Sequence, residues 1–181
     1  MAGKSACAGE LHLVYVDECE VHRHPRLAKV WRRRGCVLRV PAAGEDKKFV
    51  VYGGLDYASG RVVWQTAATK DSAAFARFLD QLAETFPEGQ VVVVLDNVGY
   101  HTSHEVRRCI RPLWLPVYAP ELNLIERVWR YLKDKLSNHR WWADLPAVEH
   151  ATGVLLDRID ARFHRPEGIS LRPVQNFCEA A

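Results

Sequence analysis

Five apolar side chains, 91–95, run without interruption through the segment QVVVVLDN (90–97) and end on an acid, Asp96. A continuous β-branched run of this kind is the pattern of a strand buried on both faces. Residues 11–18, LHLVYVDE, alternate weakly and then turn apolar, which predicts a strand ending at Asp17. Two further β-rich runs, 49–55 and 61–67, flank the turn residues Asp56, Ser59 and Gly60 and read as a hairpin. Behind Asp71, a natural helix cap, Phe75, Phe78, Leu79, Leu82 and Phe86 recur at helical spacing. A short helix at about 103–110 and a strand at 113–119 follow. Ile125, Trp129, Leu132 and Leu136 then form the apolar stripe of another helix, at i, i+4, i+7 and i+11. A tail helix is expected at about 144–163, with irregular structure after Pro166. Residues 22–47 are basic and broken by Pro and Gly.

This order, three strands and then strands alternating with helices, predicts an α/β fold. Its sheet is mixed, an antiparallel trio continued by two parallel strands, with helices on both faces. One domain is expected over 11–165, with tails at 1–10 and 166–181. Ligands gather at the carboxyl ends of central strands in such sheets, and both Asp17 and Asp96 fall there.

Composition narrows the class without deciding it. A chain of 181 residues, nearly half of them apolar, is the size of one domain with a sizeable core. No apolar run approaches the roughly 20 residues of a membrane span, and the opening MAGKSACAGE lacks the apolar core of a signal peptide. The net charge of +3, from 25 basic and 22 acidic residues, leans only mildly toward polyanions. Five scattered cysteines without a CxxC argue against a disulfide framework and fit a reducing cytoplasm. His22 and His24 near Cys19 match no zinc spacing.

The acids carry the candidate chemistry. Asp96 alone could be a turn former, and Asp17, with Glu18 beside it, could be another. Two acids delivered to neighbouring strand ends are harder to explain by turns, because like charges brought together destabilise a fold unless a cation separates them. Glu126 lies three residues after Asn123, so on a helix beginning at Asn123 it would occupy the position of a reciprocal capping carboxylate. It also borders the apolar stripe, from which it could point along the sheet edge. Glu121, in the turn APEL, is a rival with a solvated loop as its default place.

The segments VYVDE, VVVVLDNVGYHTS and WLPVYAPELNLIERVWRYLK closely resemble the three signature segments of mariner-superfamily transposases, in the bacterial branch typified by insertion sequence 630. The resemblance covers about residues 11–140. It implies a ribonuclease-H-like catalytic domain whose Asp-Asp-Glu triad falls on Asp17, Asp96 and Glu126. By the same resemblance Asn97 and His101 stand behind the triad or position DNA, and Glu18 and Asn123 are expected beside them behind the triad. Two departures are visible: Leu124 replaces the usual Pro, which should slacken the start of the helix. Only 29 residues separate Asp96 from Glu126, which suggests a shortened loop around Arg111 and Pro112. Relatives carry a DNA-binding helix-turn-helix region before the catalytic domain, so end recognition is expected to lie in a separate region.

Three carboxylates suit hard cations, Mg²⁺ with Mn²⁺ as substitute. Two ions per site, about 3.5–4 Å apart, would clamp an in-line phosphoryl displacement, with Asp17 bridging them. The activity implied is metal-dependent hydrolysis at transposon ends, then strand transfer of the 3′-hydroxyl into target DNA. The implied partners are double-stranded DNA and further copies of the chain, in a cytoplasmic, nucleoid-associated setting without a membrane. Arg32, Arg33 and Arg34, with Arg127, Arg130, Lys133 and Lys135, are either solvated faces or neutralise the DNA backbone. Trp141 and Trp142 either stack on bases or cap the core. Two rival functions share the fold: a structure-selective nuclease without strand transfer, and a decayed or domesticated copy that only binds DNA.

Overall fold

The structure is a computed structural model that describes residues 11–163, apart from 27–28, 30, 32, 38, 41–43, 88, 97–110, 117–118 and 139. Its strands are β1 (Leu11–His22), β2 (Lys48–Asp56), β3 (Val62–Ala67), β4 (Gln90–Leu95) and β5 (Arg111–Trp114). The helices described are α1 (Ser72–Thr85), α2 (Glu126–Leu136) and α3 (Leu145–Phe163), with a 3₁₀ turn at Pro120–Leu122. The five strands form one sheet in the order β3-β2-β1-β4-β5. β1, β2 and β3 pair antiparallel, while β4 joins β1, and β5 joins β4, in parallel. This is the mixed sheet expected from the pattern, with β1 at its centre. The expected helix at 103–110 lies outside the described residues, as does the segment after Pro166.

The hairpin turn forms as its residues dictate. Asp56 Oδ2 accepts from the backbone N and the hydroxyl of Ser59, and Gly60 takes the positive φ of 71° that a side chain would resist. Asp71 caps α1, its carboxylate accepting from Ala74 N at 2.8 Å. Phe75, Phe78, Leu79 and Leu82 of α1 then pack on Val14, Val16, Val50, Tyr52, Val93 and Leu95, one face of the sheet. On the opposite face, Ile125, Val128, Trp129, Leu132 and Leu136 meet Cys19, Val21, Val51 and the α3 residues Val148, Leu156 and Ile159. Both faces are therefore covered. α3 also bonds to the edge strand: Asp160 accepts from Val62 N at 2.7 Å, and Asp157 from Trp64 Nε1.

Two strand boundaries differ from expectation. β1 does not end at Asp17 but continues five residues to His22, because its antiparallel partner β2 extends alongside as far as Lys48. Only the parallel pairing with β4 stops early, at Tyr15 and Val94. The last strand is Arg111–Trp114 in place of 113–119, so Arg111 and Pro112 open a strand where a shortened loop was expected. As an edge strand, β5 can accommodate a Pro, which has no N–H for a second neighbour.

Candidate active site

The register of β1 and β4 brings the first two acids together. Tyr15 pairs with Val94, so Asp17 and Asp96 each lie two residues further along parallel neighbours. Side chains alternate across a strand, so both acids share the face of Tyr15 and Val94. Glu126 opens α2, which packs on that same face through Ile125 and Trp129. The electrostatics agree with this convergence. Burial, Glu18, Glu126 and Asp96 together push the Asp17 carboxyl up to about 7 from 3.8. A hydrogen bond from the backbone at Glu18 opposes them.

The sign of that shift makes a measurable prediction. A carboxyl with a raised folded-state value stabilises the fold while protonated, and that stabilisation is lost as pH rises from about 4 to about 7. In metal-free buffer, Asp17→Asn should therefore lose less thermal stability than the wild type across this interval. Parallel pH profiles of the two proteins would count against the shift.

The local structure around Asn123 differs from the expected cap. α2 begins at Glu126, not Asn123, and the residue before it makes no side-chain cap. The preceding turn is closed by backbone bonds instead, Glu126 N to Asn123 O and Arg127 N to Leu124 O. Asn123 itself is buried, and its Nδ2 donates to Val16 O at 3.1 Å. The amide nitrogen ties this turn to β1, while Oδ1, the atom a cap would use, has no hydrogen-bond partner among the described residues. Leu124 packs against the core cluster under α2. Glu126 thus stands at the first helical position, and a reciprocal box with Asn123 does not form.

The other expected residues separate. Glu18 points to the sheet face opposite Asp17, where it forms an ion pair with Lys70, although its charge still acts on Asp17. Consecutive strand residues cannot share a face. Asn97, His101 and Arg32 lie outside the described residues. Arg33, Arg34, Arg130 and Lys135 are exposed, and Arg127 is half-buried. Lys133 lies beside Cys19, whose thiol burial pushes up to about 11. Lys133 also lines a cavity of about 410 Å³ with His22, His24, Arg26 and Asp46. Glu121 is exposed in the 3₁₀ turn, away from the packed face. Trp142 donates its indole N–H to Leu136 O at the end of α2, which is a core-capping role, while Trp141 is exposed.

His22 and His24 both face Asp46, at 2.6 and 3.8 Å. Among the described residues no three His, Cys, Asp or Glu side chains stand in one coordination sphere. That holds for the histidines near Cys19 and also for Asp17, Asp96 and Glu126, although the charges of Asp96 and Glu126 both reach Asp17. Sequence reasoning missed Trp129 as a polar group: its Nε1 donates to Asp17 Oδ2 at 3.1 Å. The signal available was a Trp one helical turn after Glu126, and periodicity assigned it to the core.

Comparison with known proteins places this geometry. The family described as DDE superfamily endonuclease matches residues 12–149. An uncharacterized 39 kDa protein of insertion element IS630 from Shigella sonnei is 30% identical over an alignment of 155 residues that covers 80% of this chain. The chain spans 45% of that protein's length. Among solved structures, the catalytic domain of Mos1 mariner transposase superposes with a TM-score of 0.60 at 14% identity, covering 97% of this chain and 86% of that one. A Mos1 mariner paired-end complex with Mn gives 0.66 at 16% identity, covering 98% and 59%. The fold is therefore the ribonuclease-H-like one of these catalytic domains.

Proposed function

Because the chain belongs to the DDE superfamily endonucleases, we propose that it is the catalytic part of a DNA transposase. In this role it would hydrolyse the phosphodiester bond at transposon ends and transfer the 3′-hydroxyl to target DNA. The observation that carries the proposal is the charge of Asp96 and Glu126 acting on Asp17 at the carboxyl end of the parallel pair.

The donor set fits hard divalent cations. Three carboxylates, with Asp17 held high by burial and by its neighbours, make a site that a dication relieves. Asp17, Asp96 and Glu126 are the residues that would hold Mg²⁺, or Mn²⁺ in its place. When bound, such ions supply charge neutralisation at the phosphoryl group and a deprotonated water nucleophile. The chain's own residues do the placing. β1 and β4 fix the two aspartates in register, α2 carries Glu126 to them, and the turn tied by Asn123 to Val16 O sets where α2 starts. Arg127, Arg130 and Lys133 follow Glu126 along α2, where they would neutralise DNA phosphates and make binding salt-dependent.

The test is incubation of the purified chain with duplex DNA bearing terminal inverted repeats, with Mg²⁺, with Mn²⁺ and with chelator. Metal-dependent 3′-hydroxyl ends and joined products are expected. Cleavage without joining would assign the chain to the structure-selective nucleases instead. Binding without cleavage in any metal would mark a copy that has lost its chemistry.

A further inference from the structure

The three acids use Asp17 without accounting for what orients it. Trp129 is 1% exposed, and its indole lies under the sheet with Nε1 donating to Asp17 Oδ2 at 3.1 Å. One helical turn separates Trp129 from Glu126, so the helix that presents one acid also grips another. The sheet is built to admit the ring. Gly53 pairs directly with Asp17 across β1 and β2. A Cβ at Gly53 would sit 2.4 Å from Cη2 and 2.8 Å from Cζ2 of Trp129, distances no side chain tolerates. A second tie lies one residue away, where Asn123 Nδ2 donates to Val16 O. The segment carrying Glu126 is thus fastened to two successive residues of β1.

We infer that Trp129 is a positioning residue that, through its bond to Oδ2, fixes how Asp17 presents its carboxylate to a cation. The inference rests on the proposed metal-binding role of the three acids. An indole N–H only donates, so it can neither ligate nor titrate in the working pH range. It fixes the carboxylate's rotation whether the site is loaded or empty. A partner of this kind, bonded to a ligand and not to the ion, typically changes metal affinity by about 10–100-fold when removed. A Trp that merely fills the core would leave that affinity alone once its volume is replaced.

The test is Mg²⁺ and Mn²⁺ titration calorimetry on the wild type, Trp129→Phe and Asp96→Asn, with tryptophan indole N–H spectra of the ¹⁵N-labelled wild type. Phe keeps an aromatic ring in the pocket and removes the donor. Trp129→Phe is expected to weaken metal binding about 10-fold, and Asp96→Asn to weaken it as well. The wild-type Trp129 indole resonance, assigned through its contacts to Gly53, should move on Mg²⁺ addition with the calorimetric affinity. Unchanged affinity in Trp129→Phe beside a loss in Asp96→Asn would overturn the inference and leave the carboxylate site standing. No change in either variant, or no binding by the wild type, would overturn both. Should Trp129→Phe fail to fold, an indole resonance indifferent to saturating Mg²⁺ overturns the inference by itself.

Discussion

Glu126→Gln is expected to remove metal-dependent DNA cleavage, by about 10³-fold or more, while leaving the fold intact. Gln keeps the shape and removes the charge. Metal-ion catalysis supplies several kcal/mol of charge stabilisation in the transition state, and each 1.36 kcal/mol is a factor of about ten in rate. The fold should not suffer, because Glu126 is half-buried at the first position of α2 and Gln fills the same space. It also acts unfavourably on Asp17, so its neutralisation relieves a repulsion. Glu121→Gln is the matched control, an exposed acid five residues earlier in the 3₁₀ turn, and should cleave like the wild type. The measurement is the rate of nicking of end-labelled inverted-repeat DNA in Mg²⁺, beside a melting curve for each variant. Wild-type cleavage by Glu126→Gln would remove Glu126 from the triad.

Trp129→Ala is expected to be the most damaging of these substitutions to stability. The side chain is among the largest fully buried ones and joins α2 to the sheet face built by Cys19 and Val51. Truncating a buried Trp costs about 3–5 kcal/mol in transfer and cavity terms. At roughly 2–4 °C per kcal/mol for a domain of this size, the melting temperature should fall by the order of 10 °C. The cavity cannot collapse easily, since Gly53 beneath the ring has no side chain to move into it. Thermal unfolding followed by circular dichroism measures this directly. A shift within a degree or two would mean that α2 contributes little to the cooperative core.

Much of the framework was legible because it is local. The run 91–95 became β4, the two runs around Asp56 and Gly60 became the hairpin, and Asp71 caps α1. The stripe Ile125, Trp129, Leu132 and Leu136 is buried throughout. Each depends on neighbours within a few residues, where period and turn chemistry suffice. Resemblance to known signature segments supplied the three acids, which periodicity alone left open between turn formers, caps and ligands.

The failures were all long-range. The length of β1 beyond Asp17 depends on a partner strand that is distant in the chain, out to Lys48 pairing with His22. Asn123 looked like a cap because its spacing to Glu126 is that of a cap. In the fold its Nδ2 bonds a carbonyl at Val16, 107 positions earlier, and its Oδ1 caps nothing among the described residues. Glu18 sits beside Asp17 in the chain, yet the pleat sends it to the other face and to Lys70.

By itself, then, the sequence determined the strands and the described helices, their order, the mixed sheet and which acids to examine, since these follow from local pattern and signature spacing. Only the tertiary structure decided that Asp17 and Asp96 share a level through the Tyr15–Val94 register. It also decided that α2 starts at Glu126, and that the Trp129 indole reaches across 112 positions to hold Asp17. The physical reason is one of range: a hydrogen bond closed by packing leaves no period in the chain, and a glycine opposite an acid carries no signal until the ring it admits is in place.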